Sequence, residues 1–204
     1  NQTDNFNINV TAGTKFLRNF TFKVSGSADI LNRRYTQMYN NKFGDAANVG
    51  GRGRVEALRI ESLTFNQILN FNKEFGLHNV SAMVGHESYR YVEKSVFAQR
   101  TGFPLEMSND LAFGAQLEDG NSQTDEHAIE GWFGHVGYDY ANRYYISGSY
   151  RRDGSSRFYK DSRWGDFWSV GASWRISQEA FMKDAKWMDN LKLKVSYGVQ
   201  GNDN

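Results

Sequence analysis

The sequence predicts an all-β fold: an antiparallel, up-and-down succession of about eight strands. Three observations carry it. Segment after segment alternates apolar and polar residues with a period of two, the signature of strands with one apolar face. Turn-forming clusters such as Asp153-Gly154-Ser155-Ser156 separate the segments. No run of about 18 apolar residues occurs, which leaves out a transmembrane helix but not a membrane barrel, whose strands never produce such a run.

Phe6, Ile8 and Val10 alternate with Asn7 and Asn9 in a first short strand, and a turn is predicted around Ala12-Gly13-Thr14. In the second strand Phe20, Phe22, Val24, Gly26, Ala28 and Ile30 oppose Thr21, Lys23, Ser25, Ser27 and Asp29. A polar segment, Asn32 to Arg54, follows. The third strand covers about Val55 to Phe71, with Leu63, Phe65, Leu69 and Phe71 on one parity, and Asn72 to Gly76 is a short connection. Val80, Ala82 and Val84 mark the fourth strand, and a long loop is expected from Ser88 to Ile129, holding the only proline, Pro104. The fifth strand, Glu130 to Tyr140, sets Trp132, Val136, Tyr138 and Tyr140 on one face. After Ala141-Asn142-Arg143 comes the clearest hairpin. Tyr144, Ile146, Gly148 and Tyr150 share a parity, and across the turn-rich loop so do Trp168, Val170, Ala172, Trp174 and Ile176. Ser177 to Asn190 predicts a short helix around Glu179 to Lys186. An eighth strand alternates Leu191, Leu193, Val195, Tyr197 and Val199 against Lys192, Lys194 and Ser196. The chain ends in a turn-like Gly201 to Asn204, and no internal repeat is evident.

Composition narrows the function classes. The 204 residues carry 24 Lys and Arg against 23 Asp and Glu, a net charge of +1. That balance argues against a nucleic-acid partner, which requires a cationic face. Cysteine is absent, so neither a disulfide scaffold nor a thiolate metal site is available. The N-terminus, Asn1-Gln2-Thr3-Asp4, carries no signal-peptide pattern, so the chain is expected to be mature or cut from a longer one. The mean hydropathy of −0.67 does not separate a soluble β protein from a membrane barrel, because half of each barrel strand is polar.

No catalytic, cofactor-binding or metal site is predicted. His78 and His86 lie eight residues apart on one strand, roughly 26 Å at about 3.3 Å per residue, too far to share an ion. His127 and His135 meet a similar objection if their segment is extended. Glu118-Asp119 and Asp125-Glu126 resemble acid/base pairs or calcium ligands, but in a Gly/Asn/Ser-rich loop they read as solvated charges. Arg33, Arg34, Arg52 and Arg54 read as scattered loop arginines. Asp153-Gly154-Ser155-Ser156 lacks the strand–loop–helix context of a phosphate loop.

Two patterns point to a membrane. Connections after the first, third and fifth strands are short and those after the second, fourth and sixth long, as in outer-membrane barrels; the connection after the seventh departs from this. Phe16, Phe71, Phe75, Tyr140, Tyr144 and Trp174 fall near the short-turn ends, and Trp132, Tyr150 and Trp168 near the other, as two aromatic girdles would. The opposite parity (Ser147, Ser149, Ser169, Ser173, Arg175, Lys192, Lys194 and Ser196) is costly to bury unless it meets water or polar groups. Alternation alone leaves open whether the apolar face meets lipid or the core of a soluble sandwich or barrel.

Arg151-Arg152-Asp153-Gly154-Ser155-Ser156-Arg157-Phe158, Arg163-Trp164-Gly165, Ser169 to Ile176, Leu191 to Gly198 and Gly201-Asn202 together are similar to the mid-barrel signature of SusC/RagA-type TonB-dependent outer-membrane transporters. Between Trp132 and Asn202 the resemblance is specific; the first half shares only texture, as in Leu63-Thr64-Phe65-Asn66 and Phe75-Gly76-Leu77-His78. The resemblance implies that residues 1–204 are a segment, about eight strands, of a 22-stranded transmembrane β-barrel in the outer membrane of a Gram-negative cell. It also implies import of a large nutrient, an oligosaccharide or a peptide. Expected partners are a SusD-like surface lipoprotein, which the long loops would face, the TonB energy-transducing complex and outer-membrane lipid. The plug, the N-terminal extension and the TonB-contacting segment have no counterpart here. A stand-alone eight-stranded structural or adhesive barrel, and a soluble β-rich binding module or carbohydrate-active enzyme, are the other readings.

Overall fold

A computed structural model of the chain describes residues 1–104, 110–182 and 187–201. Eight strands follow one another: β1 (Gln2–Phe16), β2 (Phe20–Tyr39), β3 (Arg52–Phe75), β4 (His78–Thr101), β5 (Gln116–Tyr140), β6 (Tyr144–Ser155), β7 (Trp164–Arg175) and β8 (Lys192–Val199). They form a single sheet in sequence order, each hydrogen-bonded to its chain neighbours, with β1 and β8 at its edges. The pairings β5–β6, β6–β7 and β7–β8 are antiparallel. Only short 3-10 turns interrupt the strands; no α-helix occurs among the described residues.

Most strands are longer than alternation suggested. The Ala12-Gly13-Thr14 turn is not formed: those residues lie within β1, and Gly13 lies close enough to Lys23 and the Phe22 carbonyl that a Cβ would stand 3.3 Å from each. The turn falls at residues 17–19, where Leu17 and Arg18 take positive φ and the Asn19 amide bonds the Leu17 carbonyl. The polar stretch from Asn32 remains strand to Tyr39, and β3 begins at Arg52. The long loop expected from Ser88 to Ile129 is mostly β4 and β5, leaving 102–115 as the connection. β6 runs through Asp153 and Gly154 to Ser155, so its loop is 156–163. β7 stops at Arg175, and Ile176 opens a 3-10 turn rather than extending the strand. In place of the expected helix, Ala180–Met182 form a second such turn; residues 183–186 and the predicted turn at 202–204 lie outside the described residues. The short–long alternation of connections holds, with 17–19, 76–77 and 141–143 short and 40–51, 102–115 and 156–163 longer; 176–191 departs from it.

Contacts divide the chain into two units. The first comprises residues 1–9, 27–63 and 90–127. Its two connections are laced together: Phe103 N–H donates to the Gly50 carbonyl at 2.8 Å and Asn41 Nδ2 to the Phe103 carbonyl at 3.0 Å. Ala46 and Phe103 are buried there. The second comprises residues 10–26, 64–89 and 128–204. It carries no fully buried large side chain among the described residues, as expected of one sheet layer with nothing packed on its apolar face.

Candidate solute-facing wall

Register fixes which side chains share a face. On one face, rows run across β5, β6, β7 and β8 as Tyr140–Tyr144–Trp174–Leu193, Tyr138–Ile146–Ala172–Val195 and Val136–Gly148–Val170–Tyr197. The opposite face carries Asp139–Tyr145–Ser173–Lys194, Gly137–Ser147–Gly171–Ser196 and His135–Ser149–Ser169–Gly198. The sorting expected of Ser147, Ser149, Ser169, Ser173, Lys194 and Ser196 is thus the observed one. The apolar face stands open: Ile146 is 64% and Val195 66% exposed.

The apolar face has marked borders. At the short-turn end rings follow each other from β1 to β7. Phe16 stacks on Phe20 at 5.6 Å, Phe20 meets Phe71 at 4.9 Å, and Phe75 stacks on His78 at 5.3 Å. His78 meets Tyr140 at 5.0 Å, and Tyr140, Tyr144 and Trp174 continue at 6.5 Å steps. Phe20 and His78 were missed as belt members. His78 drew attention only as a metal ligand, yet it donates its ring to the belt and bonds the Tyr138 hydroxyl at 2.7 Å. At the other border Trp132 packs on His86 at 4.4 Å, Arg152 lies over the Trp164 ring at 5.5 Å, and the Tyr150 hydroxyl donates to Asp166 at 2.5 Å.

The polar face is internally paired. Ser149 and Ser169 join hydroxyls at 2.6 Å. Arg151 donates from Nε to both Asp153 oxygens at 2.7 Å and from Nη2 to Glu87 at 2.8 Å, with its guanidinium over the Phe133 ring at 5.4 Å. Phe133 in turn lies on Gly85, where a Cβ would stand 2.4 Å from its ring. Arg175 and Lys192 flank the Tyr145 ring at 5.8 and 3.9 Å. A cavity of about 520 Å³ is lined by Glu87, Tyr89, Arg151, Asp153, Arg163 and Phe167 among others. Ionised pairs beside an open cavity offer hydrogen bonds to a polar solute and provide no nucleophile–base geometry.

In the first unit, the presumed loop charges prove to be strand residues. Glu118 accepts from Arg52 Nε and Nη2 at 2.6 Å each and from Gln99 at 2.9 Å, which holds its carboxyl below the usual carboxylate range. Arg90 reaches Glu126 at 3.6 Å, Arg33 reaches Glu56 at 3.9 Å, and Arg54 lies over Phe97 at 3.9 Å. Among the described residues no group of three His, Asp or Glu side chains is placed to hold a metal.

No family model matches the chain. It is 31% identical over 143 residues, 70% of its length, to the TonB-dependent receptor SusC of Bacteroides thetaiotaomicron. Over 98% of its length it is 28% identical to the TonB-dependent receptor P3 of Formosa agariphila. It spans about a fifth of the length of that receptor (20%) and 14% of SusC. Among solved structures, a chain of the RagAB peptide transporter superposes with a TM-score of 0.89 at 28% identity, covering 96% of this chain and 22% of the other. The ferric citrate transporter FecA, at 9% identity and a TM-score of 0.53, shares the fold alone. Sequence, strand order and superposition agree: the chain is of the SusC/RagA type of TonB-dependent transporter and corresponds to a stretch of its barrel.

Proposed function

We propose that residues 1–204 form part of the wall of an outer-membrane barrel that imports a large nutrient, an oligosaccharide or a peptide, with energy relayed through TonB. The carrying observation is the two-sided sheet. One face is apolar, exposed and bordered by a ring-to-ring aromatic belt; the other is a paired polar surface beside an open cavity. A water-soluble sheet would cover such an apolar face, whereas a barrel wall turns it to lipid and keeps its polar face wet. The short turns 17–19, 76–77 and 141–143 then lie on the periplasmic side and the long connections outside.

The likeness to RagAB, a peptide transporter, supports a peptide as substrate, and an oligosaccharide stays in view as the alternative that the sequence resemblance implies. The likenesses to RagAB and to SusC both support a SusD-like surface lipoprotein seated over the long connections. Such a cargo needs a wide, hydrated passage, and a lumen lined by serine hydroxyls and neutralised charge pairs suits a solute rich in hydroxyls or amides. The test is uptake of labelled oligosaccharides and peptides by cells with and without the gene, each with and without a protonophore. The proposal expects loss of uptake on deletion and on de-energising; uptake unchanged by both would overturn it.

A further inference from the structure

The one connection that breaks the short-turn pattern, residues 176–191, has an unusual attachment. Glu179 Oε1 accepts from the Tyr144 hydroxyl at 2.6 Å and from Trp174 Nε1 at 3.0 Å, while Oε2 lies 3.7 Å from Arg143. Tyr144 and Trp174 belong to the Tyr140–Tyr144–Trp174–Leu193 row, which is the border of the apolar face. The connection therefore turns toward the apolar side of the sheet, not toward the polar one.

Two 3-10 turns shape its first limb, with Glu179 N–H on the Ile176 carbonyl and Met182 N–H on the Glu179 carbonyl, each at 3.0 Å. Its base is closed by Ser177 N–H on the Leu191 carbonyl at 3.2 Å. Thus tethered, it presents Phe181, two residues from the staple, at 68% exposure, and Trp187 on the returning limb at 80%. Large rings left open to water are costly, and beside an aromatic belt the natural medium for them is the membrane interface, where an apolar ring and a polar edge are both satisfied.

We propose that the connection between β7 and β8 is an interfacial anchor: stapled by Glu179 to Tyr144 and Trp174, it places Phe181 and Trp187 among the headgroups of the inner leaflet of the outer membrane. It rests on the membrane reading above. The surface is continuous with the aromatic belt, and its occupant is lipid. The anchor adds two rings to those that the belt already sets at this interface.

The experiment labels the intact protein in lipid bilayers at one cysteine at a time, Phe181→Cys, Trp187→Cys, Val170→Cys or Ser169→Cys, with an environment-sensitive fluorophore. Quenchers are nitroxide lipids labelled near the headgroup or near the acyl end, and aqueous iodide. At 181 and 187 the headgroup nitroxide should quench about twofold more than the deep one, as befits a segment seated in the interface. At 170 the order should reverse. Glu179→Ala should remove the shallow quenching at 181 and Glu179→Gln, which keeps a carbonyl acceptor, should retain it. If 170 is lipid-quenched while 181 and 187 are quenched by iodide alone, the anchor is wrong and the barrel reading stands. If 170 is not lipid-quenched, the barrel reading itself falls. Unchanged shallow quenching in Glu179→Ala would overturn the staple.

Discussion

Replacing Val170 by arginine tests the assignment of faces most directly. Val170 lies four residues from Trp174 and four from Asp166, in the row Val136–Gly148–Val170–Tyr197. Four residues span about 14 Å along an antiparallel strand, or about 10 Å along the membrane normal at a tilt near 40°. The Tyr144–Trp174 belt and the Arg152–Asp166 pair, 3.8 Å apart, therefore bracket Val170 at about 10 Å each. That makes an apolar band of about 20 Å, close to the roughly 25 Å of known outer-membrane barrels. An arginine at the midplane costs about 2–4 kcal/mol there, because the side chain must reach a border through hydrocarbon.

Ser169→Arg changes the same strand at the same depth on the polar face. It loses the 2.6 Å hydroxyl pair with Ser149, worth about 0.5–1.5 kcal/mol, and gains water or polar partners. The difference between the two variants is then about 2 kcal/mol, roughly thirtyfold in the folding equilibrium. The assay is urea-dependent folding of the intact protein into lipid bilayers, read by heat-modifiable mobility. A soluble core would also reject Val170→Arg, so Trp174→Arg completes the series: at the interface the arginine penalty falls to about 0–1 kcal/mol, whereas a core position would lose a whole buried indole. Equal cost at 169 and 170, or no fall at 174 beyond the lost ring contacts, would refute the assignment.

Three further outcomes follow from single contacts. Gly85→Ala should destabilise by about 1–3 kcal/mol, because the added methyl meets the Phe133 ring at 2.4 Å; urea unfolding measures it, and Phe133→Leu in the same chain should recover part of the loss. A double-mutant cycle between Arg151→Met and Glu87→Gln should return a coupling of only about 0.5–1 kcal/mol, because the pair stands about a third exposed. Glu179 is held below the usual carboxylate range by the Tyr144 hydroxyl first, then the Trp174 N–H and Arg143. A depressed folded value stabilises above the unfolded one and fades only as pH falls through the folded one. The fluorescence of a label at 181 should therefore hold steady from neutral pH to about 4.5 and change only below it.

Strand parity was legible because period two needs no partner: the apolar rows through Val136, Ile146, Val170 and Val195 are the rows that alternation named. Strand ends were not, because they depend on residues far away in sequence. Gly13 looks like a turn and is a strand residue fitted against Lys23. Glu118 looks like a loop charge until Arg52, 66 residues earlier, is seen to grip it with two hydrogen bonds. The polar-face cluster was invisible for the same reason, since Arg151 meets Glu87 across 64 residues. His78 was weighed as a ligand because a sequence shows its chemistry but not its neighbours, which are Phe75, Tyr138 and Tyr140.

The strand lengths themselves say where the work of this wall is done. A transmembrane barrel strand needs about 9–11 residues, and β6 and β7, with 12 each, provide little more. β3, β4 and β5 run to 24, 24 and 25 residues, more than twice the requirement. The stretches of these strands that belong to the first unit carry a chemistry of their own. Apolar alternation gives way to Arg33–Glu56, Arg52–Glu118, Arg59–Glu61 and Arg90–Glu126 pairs. Such pairs stabilise little where water screens them, so they do not explain why the strands are long. Hairpin connections laced by Phe103 and Asn41 do have a use, because ordering such loops in advance spares a partner or solute the entropy of ordering them on contact. Under the proposed function such preordered connections suit the seat of a surface lipoprotein, and loosening them should then weaken partner retention while leaving the barrel folded. Asn41→Ala, which removes the 3.0 Å bond to the Phe103 carbonyl, should lower the fraction of lipoprotein that co-purifies with the intact transporter without changing its heat-modifiable mobility. Unchanged retention would show that these connections are not the seat.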